Sequence, residues 1–440
     1  MGEFTKNTTI TFLTRILSLI IGLATSIIIA RILGPNGKGI YSLVILLPTL
    51  IVNFTNIGIG PATVYYIGKG KYPYKEIFGN NVIMSLIVGG FSIFIGLIII
   101  IFSQDLFFSG ISRHYLLFSL TLIPFSLFFA YTNSILLGLQ RFKDYNLFSF
   151  IKTIFFLIMV VITLLIFKMN VFGVLLSNVL TSIVVSLLLF VLVRGIIGGN
   201  YFRIKRDYIK DISTYGIKAH LSNILSFLHL RLDMLLINVF MNPLAVGYYS
   251  ISVTITEKLW LVSQSASTVL FPKVSSEKDE KMLKEFTPIV SRNVLLITGL
   301  GAILIFFLSR WIVILLFSEA YLPAVEPLQI LLIGTVAVSG GRVLGNDIAG
   351  RGRPILNTYL NTLTVVVNLC LDVLWIPKFG IAGAAWATTI SYSVALIGSL
   401  LVYSKISGNS ITKIIFIQKS DIALYRNIFS SLAKRVMGVL

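Results

Sequence analysis

Long apolar stretches separated by short polar connections run along nearly the whole chain. A membrane-crossing helix needs about 20 mainly apolar residues. Twelve stretches meet this and are predicted as spans: residues 9–32, 40–66, 78–102, 114–138, 147–167, 172–193, 216–240, 246–270, 287–316, 325–349, 355–376 and 381–404. The stretch near the N-terminus is too long for the apolar region of a cleavable signal. No extramembrane domain is expected between the spans. The expected fold is all-α and polytopic.

Composition agrees with this pattern. Of the 440 residues, 56% are apolar and 12% charged. A soluble domain carries roughly 25% charged residues, so a soluble enzyme of this size is excluded. The net charge of +19 would suggest nucleic acid in a soluble protein, but here its placement decides. With the N-terminus in the cytoplasm and the spans alternating, 24 of the 36 Lys and Arg fall on the cytoplasmic side and six on the outer side. That is the positive-inside pattern. It predicts both termini in the cytoplasm, a cell-membrane location and no nucleic-acid partner.

An internal repeat is also legible. Pro35 and Gly39-Ile40-Tyr41-Ser42 match Pro243 and Gly247-Tyr248-Tyr249-Ser250 at an offset of 208. Gly138 and Arg141 match Gly350 and Arg353 at 212, and Lys168 and Gly173 match Lys378 and Gly383 at 210. Two six-helix halves in the same orientation would be related by an axis along the membrane normal. The predicted organisation is a lobe over 1–194, a basic cytoplasmic linker over 195–215, a lobe over 216–404 and a basic tail over 405–440. Residues 420–440 carry apolar positions at helical spacing and are predicted to lie as an amphipathic helix on the membrane surface.

Polar groups within spans are the candidate chemistry, because a charge at mid-bilayer costs at least a few kcal/mol and usually faces a cavity or a partner. The first span carries Arg15. The second aligns Thr49, Asn53 and Asn56. The seventh carries His220, Asn223, Arg231 and Asn238 on one stripe, with His229 and Asp233 on a second. His229 and Asp233, four residues apart, could pair or hold a proton. The eighth holds Glu257 and Lys258, the tenth Arg342 and Asp347, and the eleventh Asn361 and Asn368. The surplus of cations suits an anionic headgroup such as a diphosphate. Asp233, His229, Glu257 and Asp347 are candidates for a coupling proton or sodium ion, and no other cofactor is expected. Three histidines and Cys370 alone give no metal-ligand spacing, and Cys370, inside an apolar run, is expected to be a buried inert thiol. Gly34 to Gly39 fails as a phosphate loop: Ile32 stands where the first Gly belongs and Gly39 where Ser or Thr belongs. An ATP-driven pump is therefore not expected, and neither is an enzyme.

Several segments resemble a known family. Ala30-Arg31-Ile32-Leu33-Gly34-Pro35, continuing through Gly39-Ile40-Tyr41-Ser42, resembles the opening of the polysaccharide flippases, the O-antigen and teichoic-acid exporters of the multidrug/oligosaccharidyl-lipid/polysaccharide exporter superfamily. Arg231-Leu232-Asp233, Val246 to Tyr249, Ala349-Gly350-Arg351-Gly352-Arg353, Asn368, and Ile376-Pro377 to Ala385 are similar to later parts of the same family. The resemblance implies two lobes around a central cationic cavity that opens alternately to each side. It implies a polyprenyl-diphosphate-linked oligosaccharide as substrate, membrane lipids as surroundings, and a polysaccharide polymerase and other assembly proteins as partners. The related peptidoglycan-lipid flippases place arginines early in helix 1 and in helix 8. Arg15 and Lys258 stand in comparable places, the second as lysine. On this basis the substrate-binding set is Arg15, Arg231, Lys258 and Arg342. Asn53, Asn56, His220, Asn223, Asn361 and Asn368 are polar cavity or packing residues. The alternatives are a cation-coupled multidrug exporter of the same superfamily and a membrane polymerase or glycosyltransferase.

Overall fold

A computed structural model describes residues 2–199, 203–277, 279–418 and 421. The described residues are helical throughout, with short connections and no strand. The helices are α1 (Gly2–Thr55), α2 (Ile59–Lys69), α3 (Tyr74–Phe107), α4 (Arg113–Ser119), α5 (Leu122–Gly138), α6 (Phe142–Val161), α7 (Val171–Ile197), α8 (Arg206–Phe240), α9 (Pro243–Thr256), α10 (Trp260–Ser276), α11 (Glu280–Phe317), α12 (Val325–Gly350), α13 (Pro354–Ser407) and α14 (Ile411–Ile415). Among the described residues, eight helical stretches are long and apolar enough to cross a membrane, and the chain is a multi-pass membrane protein. A straight 54-residue helix would measure about 80 Å, against a hydrocarbon core of about 30 Å. α1 and α13 avoid this by breaking at Gly34 (φ 67°, ψ 178°) and Gly380 (φ 60°, ψ −140°).

Four sequence expectations change. The stretch 40–66 is not one helix: α1 ends at Thr55, and Ile57 and Gly58 take positive φ before α2 begins. The break is held by Gly216, whose added Cβ would stand 2.1 Å from the Ile57 carbonyl oxygen. The stretch 246–270 is interrupted by a tight 3-10 turn at Glu257–Leu259, where the charged pair sits. Cys370 is exposed, not buried, because an apolar run in a membrane protein also covers surface that faces lipid. The connection expected over 195–215 is already helical from Arg206. Of the tail helix expected over 420–440, only Asp421 lies within the described residues.

The chain divides into two compact units, Met1–Ser250 with Val313–Pro323, and Ile251–Ile312 with Ala324–Leu440. In the first unit, α1 beyond its break meets α9 at very short range. A Cβ built at Gly39 would stand 1.7 Å from the Pro243 carbonyl oxygen, and one at Gly247 would stand 1.9 Å from that of Pro35. These four residues are the repeat pair read at offset 208, so the repeat meets itself reciprocally. The end of α11 joins this unit because Arg31 serves its last carbonyls. Its Nε donates to Leu316 O at 2.8 Å and its Nη2 donates to Leu315 O. Tyr321 Oη donates to Ala30 O at 2.9 Å. A cation is well placed there, since the last carbonyls of a helix lack partners and carry partial negative charge.

In the second unit, Leu270 and Val274 of α10, Leu283 and Val294 of α11 and Val343 of α12 form one core. Leu344 and Ile348 of α12 with Leu400, Tyr403 and Ile414 form another. A buried ion pair fastens the tail: Arg292 Nη2 donates to Asp421 Oδ1 at 2.6 Å, its Nε donates to Oδ2, and its Nη1 donates to Lys413 O at 3.1 Å.

The repeat is also visible in backbone turns. Arg141 N donates to Leu136 O (2.8 Å) and Gln140 N to Leu137 O (3.0 Å), with Gln140 at φ 57°. Arg353 N donates to Ile348 O (3.1 Å) and Gly352 N to Ala349 O (3.0 Å), with Gly352 at φ 76°. Gly138 packs against Ile67, and Gly350 against Val274. Gly198 N donates to Arg194 O, and Gly408 N to Ser404 O. The same helix ends recur with the same hand in both halves.

An added methyl at Gly39 or Gly247 must push two backbones apart. Gly39→Ala or Gly247→Ala is expected to cost about 2–3 kcal/mol or more and lower the melting temperature of the purified protein. Gly22→Ala, where nothing lies within 4 Å, should leave it unchanged. Equal melting of all three would contradict the packing.

Candidate functional site

The first unit carries Arg15, Asn53, Asn56, His220, Asn223, His229, Arg231 and Asp233. Both ends of the His220–Asn238 stripe of α8 are taken up by neighbouring helices. His220 Nε2 lies 3.1 Å from Phe54 O, and Asn238 Nδ2 donates to Phe107 O at 3.0 Å. Asn223's side chain lies outside the described residues. On the other stripe, Asp233 is buried. Its Oδ2 accepts from Tyr249 Oη at 2.5 Å and its Oδ1 accepts from Met234 N at 2.8 Å. Tyr249 is the partner that sequence reasoning missed, although it stands inside the repeat motif itself. His229 and Arg231 are half-buried, and Arg231 Nη1 donates to Leu230 O at 3.3 Å. Asn53 Nδ2 donates to Thr49 O within its own helix, and Asn56 leaves its Oδ1 without a partner among the described residues. Arg15 is exposed on α1. Beside the break at Asn56–Gly58 lies a cavity of about 510 Å³ lined by Phe54, Thr55, Ile57, Met84, Val88 and Phe91. Such walls suit a hydrocarbon chain and not a charged headgroup.

The second unit carries Glu257, Lys258, Arg342, Asp347, Asn361 and Asn368. The Arg342 guanidinium lies over the Trp260 ring, 4.7 Å from its centroid. The 3-10 turn at Glu257–Leu259 delivers Trp260 to this place, and Glu257 and Tyr392 are within electrostatic reach of Arg342. Cation–π contact is worth about 2 kcal/mol when desolvated, but it takes only the face of the guanidinium. Arg342 Nη1 and Trp260 Nε1 are buried donors with no hydrogen-bond acceptor among the described residues. Two unsatisfied donors stacked together favour an anionic oxygen. Trp260 was not singled out from the sequence. Its signal was a tryptophan two residues beyond a charge in the middle of a span.

Asp347 is placed differently, although it is only five residues from Arg342 on the same helix. It is fully buried, and Thr287 Oγ1 donates to its Oδ2 at 2.5 Å. Arg351 Nε donates to its Oδ1, while Arg351 Nη1 donates to Glu280 Oε2 at 2.7 Å. This carboxylate ties the start of α11 to the end of α12. Asn361 is half-buried and its carbonyl accepts from Thr364 Oγ1 at 2.9 Å. Asn368 is buried and its Nδ2 has no partner among the described residues.

A family model described as "Polysaccharide biosynthesis protein" matches residues 4–278, more than half of the chain. The chain belongs to this family. Among curated proteins, this polysaccharide biosynthesis protein is 27% identical over 190 residues to a probable low-salt glycan biosynthesis flippase of Haloferax volcanii. That match covers 42% of this chain and 40% of the relative. It is 28% identical over 216 residues to a capsular polysaccharide biosynthesis protein of Staphylococcus aureus, covering 47% and 54%. The matches thus span about half or less of these relatives' lengths. Its fold is similar to that of a lipid II flippase in an inward closed conformation, with TM-score 0.75 at 18% identity over 97% of this chain and 99% of that one. A multidrug resistance transporter of the MOP superfamily, in an inward-facing conformation, gives TM-score 0.71 at 17% identity, over 89% and 94%.

Replacing Asp347 by Ala would leave Arg351 and Thr287 without their buried acceptor, a loss of about 3–5 kcal/mol. Asp347→Ala is expected to melt well below wild type. An unchanged melting temperature with lost transport would instead assign Asp347 to ion coupling.

Proposed function

We propose that this chain is a flippase that carries a polyprenyl-diphosphate-linked oligosaccharide headgroup from the cytoplasmic to the outer leaflet by alternating access, and that it is not an enzyme. The Arg342 guanidinium stacked on Trp260, with an unsatisfied buried N–H, carries this reading. A guanidinium kept in a span needs an anion, and a diphosphate supplies one. Family membership and the flippase named among the relatives support it. Arg15 and Arg231 in the first unit, and Lys258 and Arg342 in the second, supply cationic groups for successive steps. The polyprenyl tail stays in the bilayer, since exposing it to water would cost about 0.8 kcal/mol per CH₂. A membrane potential would aid outward movement of the diphosphate by about 2.3 kcal/mol per charge per 100 mV. A proton or sodium ion at Asp233, His229 or Glu257 would complete the coupling. The protein would sit in the cytoplasmic membrane with both termini inside, and hand its cargo to a polymerase or other assembly proteins.

Multidrug export is the second reading, favoured by the fold likeness to a multidrug transporter. It would want acidic groups for cationic drugs, whereas the polar spans carry a surplus of arginine and lysine.

In cells lacking the protein, a lipid-linked oligosaccharide should accumulate with its headgroup on the cytoplasmic leaflet. Wild-type protein should relieve this, and a folded Arg231→Ala, Lys258→Ala double variant should not. Lipid extraction with mass analysis and headgroup labelling checks both. Absence of accumulation, together with changed sensitivity to cationic drugs, would favour the second reading.

A further inference from the structure

Lys152 is a charge inside a span that no role yet explains. It stands in the 25-residue stretch Phe142–Ile166, ten positions beyond its first residue. The polar residues Lys143 and Asp144 occupy its first turn, and the span predicted over 147–167 puts Lys152 five residues, about 8 Å, inside the hydrocarbon. The side chain is half-buried, and its ammonium lies 4.5 Å from the centre of the Phe129 ring of α5. Among the described residues, no carboxylate lies within 4.0 Å and no acceptor hydrogen-bonds it. The neighbouring hydroxyls are engaged with their own helix: Ser149 Oγ donates to Tyr145 O and Thr153 Oγ1 to Ser149 O. The aromatic face offsets only part of the cost of holding an ammonium there.

The surroundings point to the missing counter-charge. α6 packs along α1 in the same unit, and Asn146 Nδ2 donates to Thr11 Oγ1 at 2.7 Å, which sets their register. As first and fifth passes, these helices run in the same direction. Arg15 is four residues beyond Thr11 and Lys152 six beyond Asn146, so the two cations differ in depth by about 3 Å. Arg15 is exposed and, among the described residues, has no anionic partner. Two cations at one depth on adjacent helices match a ligand with two linked anionic groups.

Given the flippase function proposed above, on which this assignment rests, we propose that Lys152 binds the substrate, contacting the diphosphate alongside Arg15. The test uses the full-length protein in lipid nanodiscs, with polyprenyl diphosphate and polyprenol as probes. Wild type should prefer the diphosphate. Lys152→Met should lose affinity for it by about tenfold, the scale of one charge-assisted contact, with polyprenol binding unchanged. Lys152→Arg should retain most of the affinity. If wild type prefers the diphosphate and Lys152→Met binds it equally well, Lys152 is not a ligand while the flippase function stands. If wild type shows no preference, both fall. Amine labelling of Lys152 in the wild type needs no variant to fold: saturating diphosphate should protect it, and unprotected labelling would overturn the proposal.

Discussion

Two helix starts cross so closely that neither can carry a side chain. Gly39 faces the Pro243 carbonyl and Gly247 faces the Pro35 carbonyl, each at a distance where a Cβ has no room. Small residues let helices approach in membranes, where lipid is as apolar as any side chain and packing supplies the attraction. Proline at each helix start removes an N–H that would lack a partner anyway. The break at Gly34 aims the chain into this crossing, and Arg31, three residues before it, caps the end of α11.

Around that frame, polar groups in the spans divide by what they have to bond with. Asp233 has Tyr249 and a backbone N–H; Asp347 has Thr287 and Arg351. These carboxylates are anchored and hold helices together. Arg342 has an aromatic face and a donor left over. The asymmetry suits the proposed carriage of anionic cargo: the acids are hydrogen-bonded within the fold, while Arg342 keeps an N–H with no acceptor among the described residues. The apolar cavity beside Ile57 is of the opposite character and suits the tail end of such a cargo.

Much of the fold was legible because the membrane makes the pattern simple. Uninterrupted apolar runs mark spans, and Gly and Pro at one offset mark the repeat, which reappears as matched turns at Gln140 and Gly352. The break at Ile57 was not legible, since a β-branched residue at positive φ contradicts local preference and is imposed by Gly216 from a distant helix. Cys370 was misread because apolar sequence looks the same against lipid as against protein. At the site, charged positions were visible as charges, but their partners were not. Tyr249 and Trp260 are aromatic residues among many, and only the packing shows which cation or carboxylate each one meets.

The most direct test of a flippase is movement itself. The purified protein would be reconstituted into vesicles holding an oligosaccharide on polyprenyl diphosphate, and the headgroup's accessibility to an external glycosidase followed over time. The account predicts that headgroups in the inner leaflet become accessible at a rate that depends on the protein. Accessibility no faster than in protein-free vesicles, while the same vesicles transport a cationic drug, would contradict it.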